Sequence, residues 1–251
     1  MNKKYVTTSL IVVITILLVT VASLLLYIYS DSEENEIYTS ELSFEEDLSQ
    51  VMNDDLYNHA DNIEINEQAT LTQEEISDLL YMREEEKLAH DVYTALYSEW
   101  GLNIFSNISN SEQKHTDSIA TLIEAYNLDD PYMQAAGEFS NSDLQELYDQ
   151  LVETGSESII DALKVGALIE DLDIVDLENA MNRTDNQSII SVYENLQRGS
   201  RNHIRSFTSM LERYGETYTP EYLDYEEYIS IITSGHETGN GNGGNGNGGN
   251  H

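Results

Sequence analysis

The chain has 251 residues, enough for one sizeable domain with appended segments. Its 47 acidic residues against 11 lysines and arginines give a formal net charge of −36, which repels a phosphate backbone and argues against nucleic acid as a partner. Because cysteine is absent, disulfides, thiolate metal sites and a rubredoxin-type iron centre are excluded, and any bound metal must have oxygen and nitrogen ligands.

The first segment in chain order is an uncharged apolar stretch. Residues 5–29 carry no charged side chain and exceed the roughly 20 residues that a helix needs to cross a bilayer. Lys3 and Lys4 precede this stretch and an acidic segment follows it, so the positive-inside rule places the N-terminus in the cytoplasm. A cleaved signal peptide is the alternative, but the apolar run is long for one. We predict that residues 1–30 form a transmembrane anchor or an uncleaved signal, with the bulk of the chain extracytoplasmic.

Two flanking segments lack the apolar side chains that a folded core needs. Residues 31–70 are acidic and polar, which predicts a tether between the anchor and the folded domain. Residues 236–251 are rich in glycine and asparagine, which predicts a disordered tail.

Residues 71–235 are predicted to form an all-α, antiparallel four-helix bundle. Apolar side chains recur there at intervals of three and four residues, and no strand pattern is present in residues 71–215. A Thr72-x-x-Glu75 capping box opens the first helix, and Gly101 ends it. The predicted long helices span residues 71–100, 104–127, 156–182 and 185–214, with a shorter helix near residues 142–153.

Acidic side chains and histidines interrupt the apolar face of each long helix near its middle. Burial of an unpaired carboxylate is too costly to be incidental. Divalent cations explain such a cluster of carboxylates and imidazoles, because they neutralise the negative charge. The sequence therefore predicts a buried metal site. Its candidate ligands are Glu86, Glu112, His115, Glu170, Asp173 and His203.

Other charged residues on these helices have simpler interpretations. His90 lies about 40° from Glu86 around the helix axis and is interpreted as an edge residue rather than a ligand. Arg201 and Arg205 flank His203 and are expected to pair with Asp171 or with other acids at the surface. Four acids in charge runs are interpreted as solvated, namely Glu84, Glu85, Asp171 and Asp176.

Four segments carry a resemblance to a known family: MREEEKLAHDVY, SEQKHTDSI, GALIEDLDIVDL and RGSRNHIRSF. They resemble an uncharacterised prokaryotic ferritin-like domain family within the rubrerythrin-like di-iron superfamily, over about residues 71–215. That resemblance implies a ferritin-like bundle with one glutamate from each of two helices and Glu-x-x-His from each of the other two. The residues that match are Glu86, Glu112, His115, Glu170 and His203. Ser200 stands where the last glutamate belongs, and Asp173 is expected to supply the missing oxygen.

The resemblance also implies a cofactor and a class of reaction. We expect two iron ions, with manganese as the alternative metal, and Glu86 and Glu170 as the carboxylates that bridge them or shift coordination. The expected activity is reaction with peroxide or dioxygen, or oxidation of ferrous iron. Predicted partners are the membrane through residues 5–29, a small-molecule oxidant or ferrous iron, an external electron donor, and a second copy of the chain in a homodimer.

Two other classes of protein compete with this prediction. The first is a non-enzymatic surface module that holds a structural metal or no metal at all. The second is a calcium-buffering acidic domain, which leaves the inward-facing histidines unexplained because calcium prefers oxygen ligands.

Overall fold

The computed structural model of the protein describes residues 65–238, which belong to one compact unit. The predicted anchor, most of the tether and the tail from residue 239 lie outside the described residues. Residues 65–238 are entirely helical and contain no strand, which confirms the all-α class for this part of the chain. No helix within this range combines the length and the apolar character that a membrane crossing requires.

Six helices make up the described region, in the order α1 (Gln73–Trp100), α2 (Asn103–Ala125), α3 (Ser142–Gly155), α4 (Ile159–Met181), α5 (Gln187–Arg213) and α6 (Tyr225–Thr233). The first five correspond to the predicted helices, with ends that differ by up to three residues. Helix α6 was not predicted. Asp224 caps its N-terminus, where the Asp224 side chain accepts a hydrogen bond from the Glu226 N–H at 2.8 Å, and the helix buries Tyr228 and Ile231.

The ends of α1 follow the signals in the sequence. Thr72 and Glu75 form the predicted reciprocal capping box, which satisfies backbone N–H groups that the first turn leaves without partners. At the other end Gly101 has φ +68°, a conformation that favours glycine, and its N–H donates to the Tyr97 carbonyl at 2.8 Å. The short link after Gly101 turns α2 back along α1.

The four long helices form an antiparallel bundle. Helix α1 packs against α2 and α4, and α5 packs against the same two helices. An aliphatic cluster at one end joins Leu79 from the start of α1, Leu122 from the end of α2, Leu177 from the end of α4 and Ile189 from the start of α5. Helices α1 and α5 therefore run in one direction and α2 and α4 in the other, with residues 126–158, including α3, as a long crossover.

Aromatic residues fill the opposite end of the bundle. The rings of Tyr93, Phe105 and Phe207 lie with centroids 5.3–6.4 Å apart. Gly166 permits this packing, because a Cβ atom there would lie 2.4 Å from the Phe207 ring. The middle of each long helix is thus enclosed between an aliphatic and an aromatic layer.

Charged side chains of α1 fasten the crossover to the bundle. Arg83 donates from Nε to Asp130 at 3.2 Å. Glu84, only 4 % exposed, accepts a hydrogen bond from the Ser140 N–H at 2.6 Å. Lys87 is also buried and donates to a carbonyl of the crossover. The prediction that Glu84 is solvated is therefore wrong, because the crossover covers this face of α1.

Asp171 holds the segment that precedes α6. It is fully buried, and its carboxylate accepts hydrogen bonds from the Tyr218 hydroxyl at 2.7 Å and from the Glu221 and Leu223 N–H groups at 2.6 and 2.8 Å. The prediction that Asp171 is solvated is wrong, because residues 218–223, which are remote in sequence, fold over it.

Arg201 and Arg205 converge on one carboxylate near the C-terminal limit of the described residues. Arg201 Nη2 lies 2.6 Å from Glu237 Oε2, and Arg205 Nη2 contacts Glu237 Oε1. Of the two expected pairings, the one with Asp171 is wrong and the one with another acid is confirmed.

Candidate metal centre

Five of the six predicted ligands meet at the middle of the bundle. Each long helix contributes at least one of them, and α2 contributes Glu112 and His115 from adjacent turns. The carboxylates are almost completely buried, and the His115 side chain is the most accessible of the five at 12 %. The site is therefore shielded from bulk water on the sides that the helices cover.

The first group of ligand atoms joins α1 and α2. His115 Nδ1 lies 2.7 Å from Glu112 Oε2 and 3.2 Å from Glu86 Oε2. The ligand atoms that these three residues offer all lie within 4.8 Å of one another, close enough to bind one ion.

The second group joins α2, α4 and α5. His203 Nδ1 lies 2.6 Å from Glu112 Oε1 and 3.4 Å from Glu170 Oε2. The ligand atoms of these three residues also lie within 4.8 Å of one another. The His115 and His203 rings stack at a centroid distance of 5.6 Å, so the two groups are adjacent.

Glu112 belongs to both groups. Its Oε2 faces His115 and its Oε1 faces His203. A carboxylate with one oxygen directed to each group is placed to bridge two ions. The family resemblance implied that Glu86 and Glu170 bridge the ions or shift coordination, but each of them belongs to one group only.

Several of these atoms lack hydrogen-bond partners. Although Glu112 Oε1 and His203 Nδ1 are only 2.6 Å apart, neither forms a hydrogen bond of acceptable geometry, and Glu86 Oε1 has no partner either. Native proteins rarely bury polar atoms without hydrogen-bond partners. The second ring nitrogen of His203 lies 3.1 Å from Ser111 Oγ, which leaves Nδ1 directed at the carboxylates. A cation between these atoms would satisfy them.

The imidazoles and carboxylates strongly shift one another's pKa values when no cation lies between them. Burial alone would lower the pKa of His203, but Glu112 and Glu170 raise it to about 9. Burial would likewise raise the pKa of Glu112, but the imidazoles of His115 and His203 hold it well below its usual value. The metal-free site therefore keeps protons on its histidines, and an incoming metal ion must displace them.

Asp173 lies beside the two groups and belongs to neither. Ser200 Oγ donates a hydrogen bond to Asp173 Oδ2, whereas Oδ1 is buried without a partner. Burial and the nearby charge of Glu170 raise the pKa of Asp173 to about 8. Ser200 and Asp173 thus occupy as a pair the region where the resemblance placed one glutamate.

Three further residues shape the site beside the predicted ligands. Gly199 lies under His115, since a Cβ atom there would be 2.6 Å from His115 Cε1 and Nε2. Tyr93 donates to Glu170 Oε1 at 2.5 Å and so orients that carboxylate. Ser111 contacts His203, as described above. The only sequence signal for Gly199 is its position one turn before His203, and none distinguishes Ser111.

His90 and Glu85 border the predicted ligands on α1. His90 belongs to neither group, and its Nδ1 lies 2.8 Å from the Ser109 carbonyl. Glu85 is 3 % exposed, so the prediction that it is solvated is wrong. Neither oxygen of Glu85 has a hydrogen-bond partner. Asp176, also predicted to be solvated, is half-buried.

The fold and the site define a class of helical-bundle protein with two overlapping, buried groups of carboxylates and imidazoles that are able to hold metal ions. The chain belongs to the DUF2202 family, described as an uncharacterized protein domain, which matches residues 75–235.

A relative and its solved structure extend this assignment. The chain is 55 % identical over 170 residues to the uncharacterized protein MJ0754 of Methanocaldococcus jannaschii, a match that covers 67 % of this chain and 92 % of the relative. The fold is similar to the crystal structure of the hypothetical protein MJ0754 from Methanococcus jannaschii, with a TM-score of 0.67 and coverage of 67 % of this chain and 97 % of that one.

Proposed function

We propose that this protein is a di-metal carboxylate protein, loaded with iron or alternatively manganese, that reduces peroxide or dioxygen or oxidises ferrous iron. The observation that carries the proposal is the pair of buried ligand groups that share Glu112, with Glu112 Oε1, Glu86 Oε1 and His203 Nδ1 left without hydrogen bonds.

The donor set fits two divalent ions. Glu86 and His115 would hold one ion, Glu170 and His203 the other, and Glu112 would bridge them. With Asp173 the site contains four carboxylates, enough to neutralise two divalent cations. Carboxylate and imidazole ligands suit iron and manganese, whereas calcium would leave the imidazoles unused.

The order of the helices supports a ferritin-like relationship. Two antiparallel pairs joined by one long crossover, over residues 126–158, is the connectivity of ferritin-like bundles. In such bundles glutamates and Glu-x-x-His pairs project inward from facing helices. Ser200 departs from that pattern, and the proposal assigns Asp173 to the fourth carboxylate position.

When bound, a pair of ferrous ions supplies the two electrons that reduce hydrogen peroxide, together with two protons, to two water molecules. The residues of the chain hold the site for this reaction. Tyr93 orients Glu170, Ser111 orients His203, and the aliphatic and aromatic layers exclude water. Because the chain has no cysteine for a rubredoxin-type centre, an external donor must return the electrons.

We further propose that residues 5–29 anchor the protein in the membrane, with the bundle on the extracytoplasmic side. Their uncharged composition and the preceding lysines support this placement. Retention of the full chain in the membrane fraction after a high-salt wash, and protease cleavage of the bundle in intact cells, test both parts. Release by salt, or protection from protease, would contradict them.

Metal content tests the central proposal. Purified full-length protein reconstituted with ferrous iron is expected to hold two irons per chain and to show an oxo-bridged diferric absorption band that dithionite removes. Glu99→Gln, an exposed acid on α1, serves as the matched control and should change neither. Colourless protein without iron or manganese would favour a helical module with no redox metal.

A further inference from the structure

Five consecutive charged residues of α1, residues 83–87, are all buried. Arg83, Glu84 and Lys87 hold the crossover, and Glu86 contacts His115. Glu85 differs from the other four, because neither of its carboxylate oxygens has a hydrogen-bond partner although the residue is only 3 % exposed. Neither the fold nor the metal groups account for this side chain.

Glu85 faces an apolar pocket between α1, α3 and α4. About 330 Å³ of space without protein atoms lies in this region, open solvent included, and the enclosed part has room only for a small molecule. Aliphatic side chains form its walls and Tyr222, 49 % exposed, stands at its rim. The wall residues include Leu88 of α1, Leu147 and Leu151 of α3, and Leu168 and Leu172 of α4. The pocket therefore presents one buried acidic group on a hydrocarbon surface.

Two more carboxyl groups lie near Glu85. Asp176 lies within hydrogen-bonding reach of Glu85, and the charge of Asp173 acts on Glu85 as well. One proton shared between two carboxyl groups satisfies only the atoms that face each other, and a cationic group with several N–H donors would satisfy the oxygens that remain.

We propose that this pocket binds a small aliphatic amine as its ammonium ion, with the charged head on Glu85 and the carbon chain among the leucines. An ammonium group has three N–H donors, and Glu85 alone provides two unpartnered oxygens. The apolar walls bury the chain and so favour its transfer from water.

Other classes of ligand fit the pocket less well. A carboxylic acid would be repelled by Glu85 and its acidic neighbours. A metal ion needs several oxygen or nitrogen ligands, which the leucine walls do not provide. A neutral apolar molecule would fill the pocket but would give the Glu85 oxygens no hydrogen-bond donors. Burial of polar atoms without hydrogen bonds is unfavourable in free energy.

Calorimetric titration of the full-length protein at pH 7 separates these cases. The probes are n-butylammonium, butan-1-ol, which keeps the chain without the charge, and methylammonium, which keeps the charge without the chain. Butylammonium is expected to bind at least about tenfold more tightly than either, because only it makes charge-assisted hydrogen bonds and buries a chain together. Chelator-treated protein should give the same result, since the pocket is distinct from the metal groups.

Variants locate the binding site. Glu85→Gln keeps the shape of the side chain and should weaken butylammonium binding about tenfold. Leu172→Trp should abolish binding by filling the pocket, and the exposed control Glu99→Gln should bind like the wild type. Circular dichroism checks that each variant is folded.

Three outcomes would overturn the proposal. The first is no detectable binding of butylammonium to the wild type. The second is equal affinity for butylammonium and butan-1-ol, which would make the pocket a site for neutral molecules. The third is unchanged affinity in Glu85→Gln, which would place the amine elsewhere on the acidic surface.

Discussion

Nδ1 of His203 lies 2.6 Å from Oε1 of Glu112, yet the two atoms do not form a hydrogen bond. The other oxygen of Glu112 lies 2.7 Å from Nδ1 of His115. One carboxylate therefore faces two imidazoles that come from different helices. This relationship makes Glu112 the residue on which the two halves of the proposed metal site depend.

Substitution of Glu112 should affect both ions, and substitution of Glu86 only one. We expect Glu112→Gln to lose both equivalents of metal, because its carboxylate belongs to both groups. Glu86→Gln should retain the ion held by Glu170 and His203. Elemental analysis of reconstituted protein measures the stoichiometry. Two metals in Glu112→Gln would show that this carboxylate is not shared.

Asp173 and Ser200 provide a test by compensation. Asp173→Asn should lower the metal content towards one ion per chain, because the variant removes the fourth carboxylate while keeping its shape. The double variant Asp173→Asn with Ser200→Glu moves a carboxylate to the position that the family resemblance predicts. It should restore the second ion, at a stability cost of about 1–3 kcal/mol for the larger buried side chain.

The control for this pair is Ser200→Glu alone, which adds a fifth carboxylate and should destabilise the metal-free protein more than the double variant does. Two metals per chain in Asp173→Asn, measured by elemental analysis, would exclude Asp173 as a ligand.

Gly199 should be sensitive to the smallest substitution. In Gly199→Ala the new methyl group would lie 2.6 Å from the His115 ring, so the imidazole must shift from its position. We expect weaker binding of the ion held by Glu86 and His115. The free energy of unfolding should fall by about 1–3 kcal/mol from overpacking, partly offset by the higher helix propensity of alanine.

Gly235→Ala is the matched control, since a Cβ atom there meets nothing within 4 Å. Urea unfolding and metal titration measure the two effects. An unchanged affinity for the first ion in Gly199→Ala would mean that His115 does not bind it.

Metal affinity should increase with pH. Only a neutral imidazole binds a metal ion, and Glu112 and Glu170 raise the pKa of His203 to about 9 against the lowering effect of burial. Below that pH the metal must displace a proton, so the apparent affinity should rise between pH 6 and pH 9. Titration with Mn²⁺, which resists oxidation and hydrolysis better than Fe²⁺, measures this slope. A pH-independent affinity would contradict ligation by His203.

Glu237 should make a pH-dependent contribution to stability. Hydrogen bonds from Arg201 and Arg205 hold its pKa at about 2 although burial alone would raise it. A folded-state pKa below the unfolded value of 4.5 stabilises the protein above pH 4.5, and this stabilisation is lost as the pH falls towards 2. The difference in unfolding free energy between wild type and Glu237→Gln should therefore shrink from pH 6 to pH 3. A constant difference would contradict the ion pairs.

The positions of helices α1 to α5 follow from the sequence alone. The Thr72 capping box, the left-handed Gly101 and the three- and four-residue spacing of apolar residues act locally, so they specify where α1 begins and ends and which side of each helix is buried. Charged residues on those buried sides also predicted the members of the metal site, because the middles of the helices lie at the same level in an antiparallel bundle. Helix α6 escaped prediction since its nine residues bury few side chains.

Tertiary packing determined the contacts within the site and the burial of the other charged residues. The sequence by itself determined that Glu112 points into the bundle, but only the contact between α2 and α5 directs its second oxygen at His203. Local charge runs made Glu84, Glu85 and Asp171 look solvated, whereas segments remote in the sequence cover all three. Periodicity reports which face of a helix is apolar, and it carries no information on which loop folds over the opposite face.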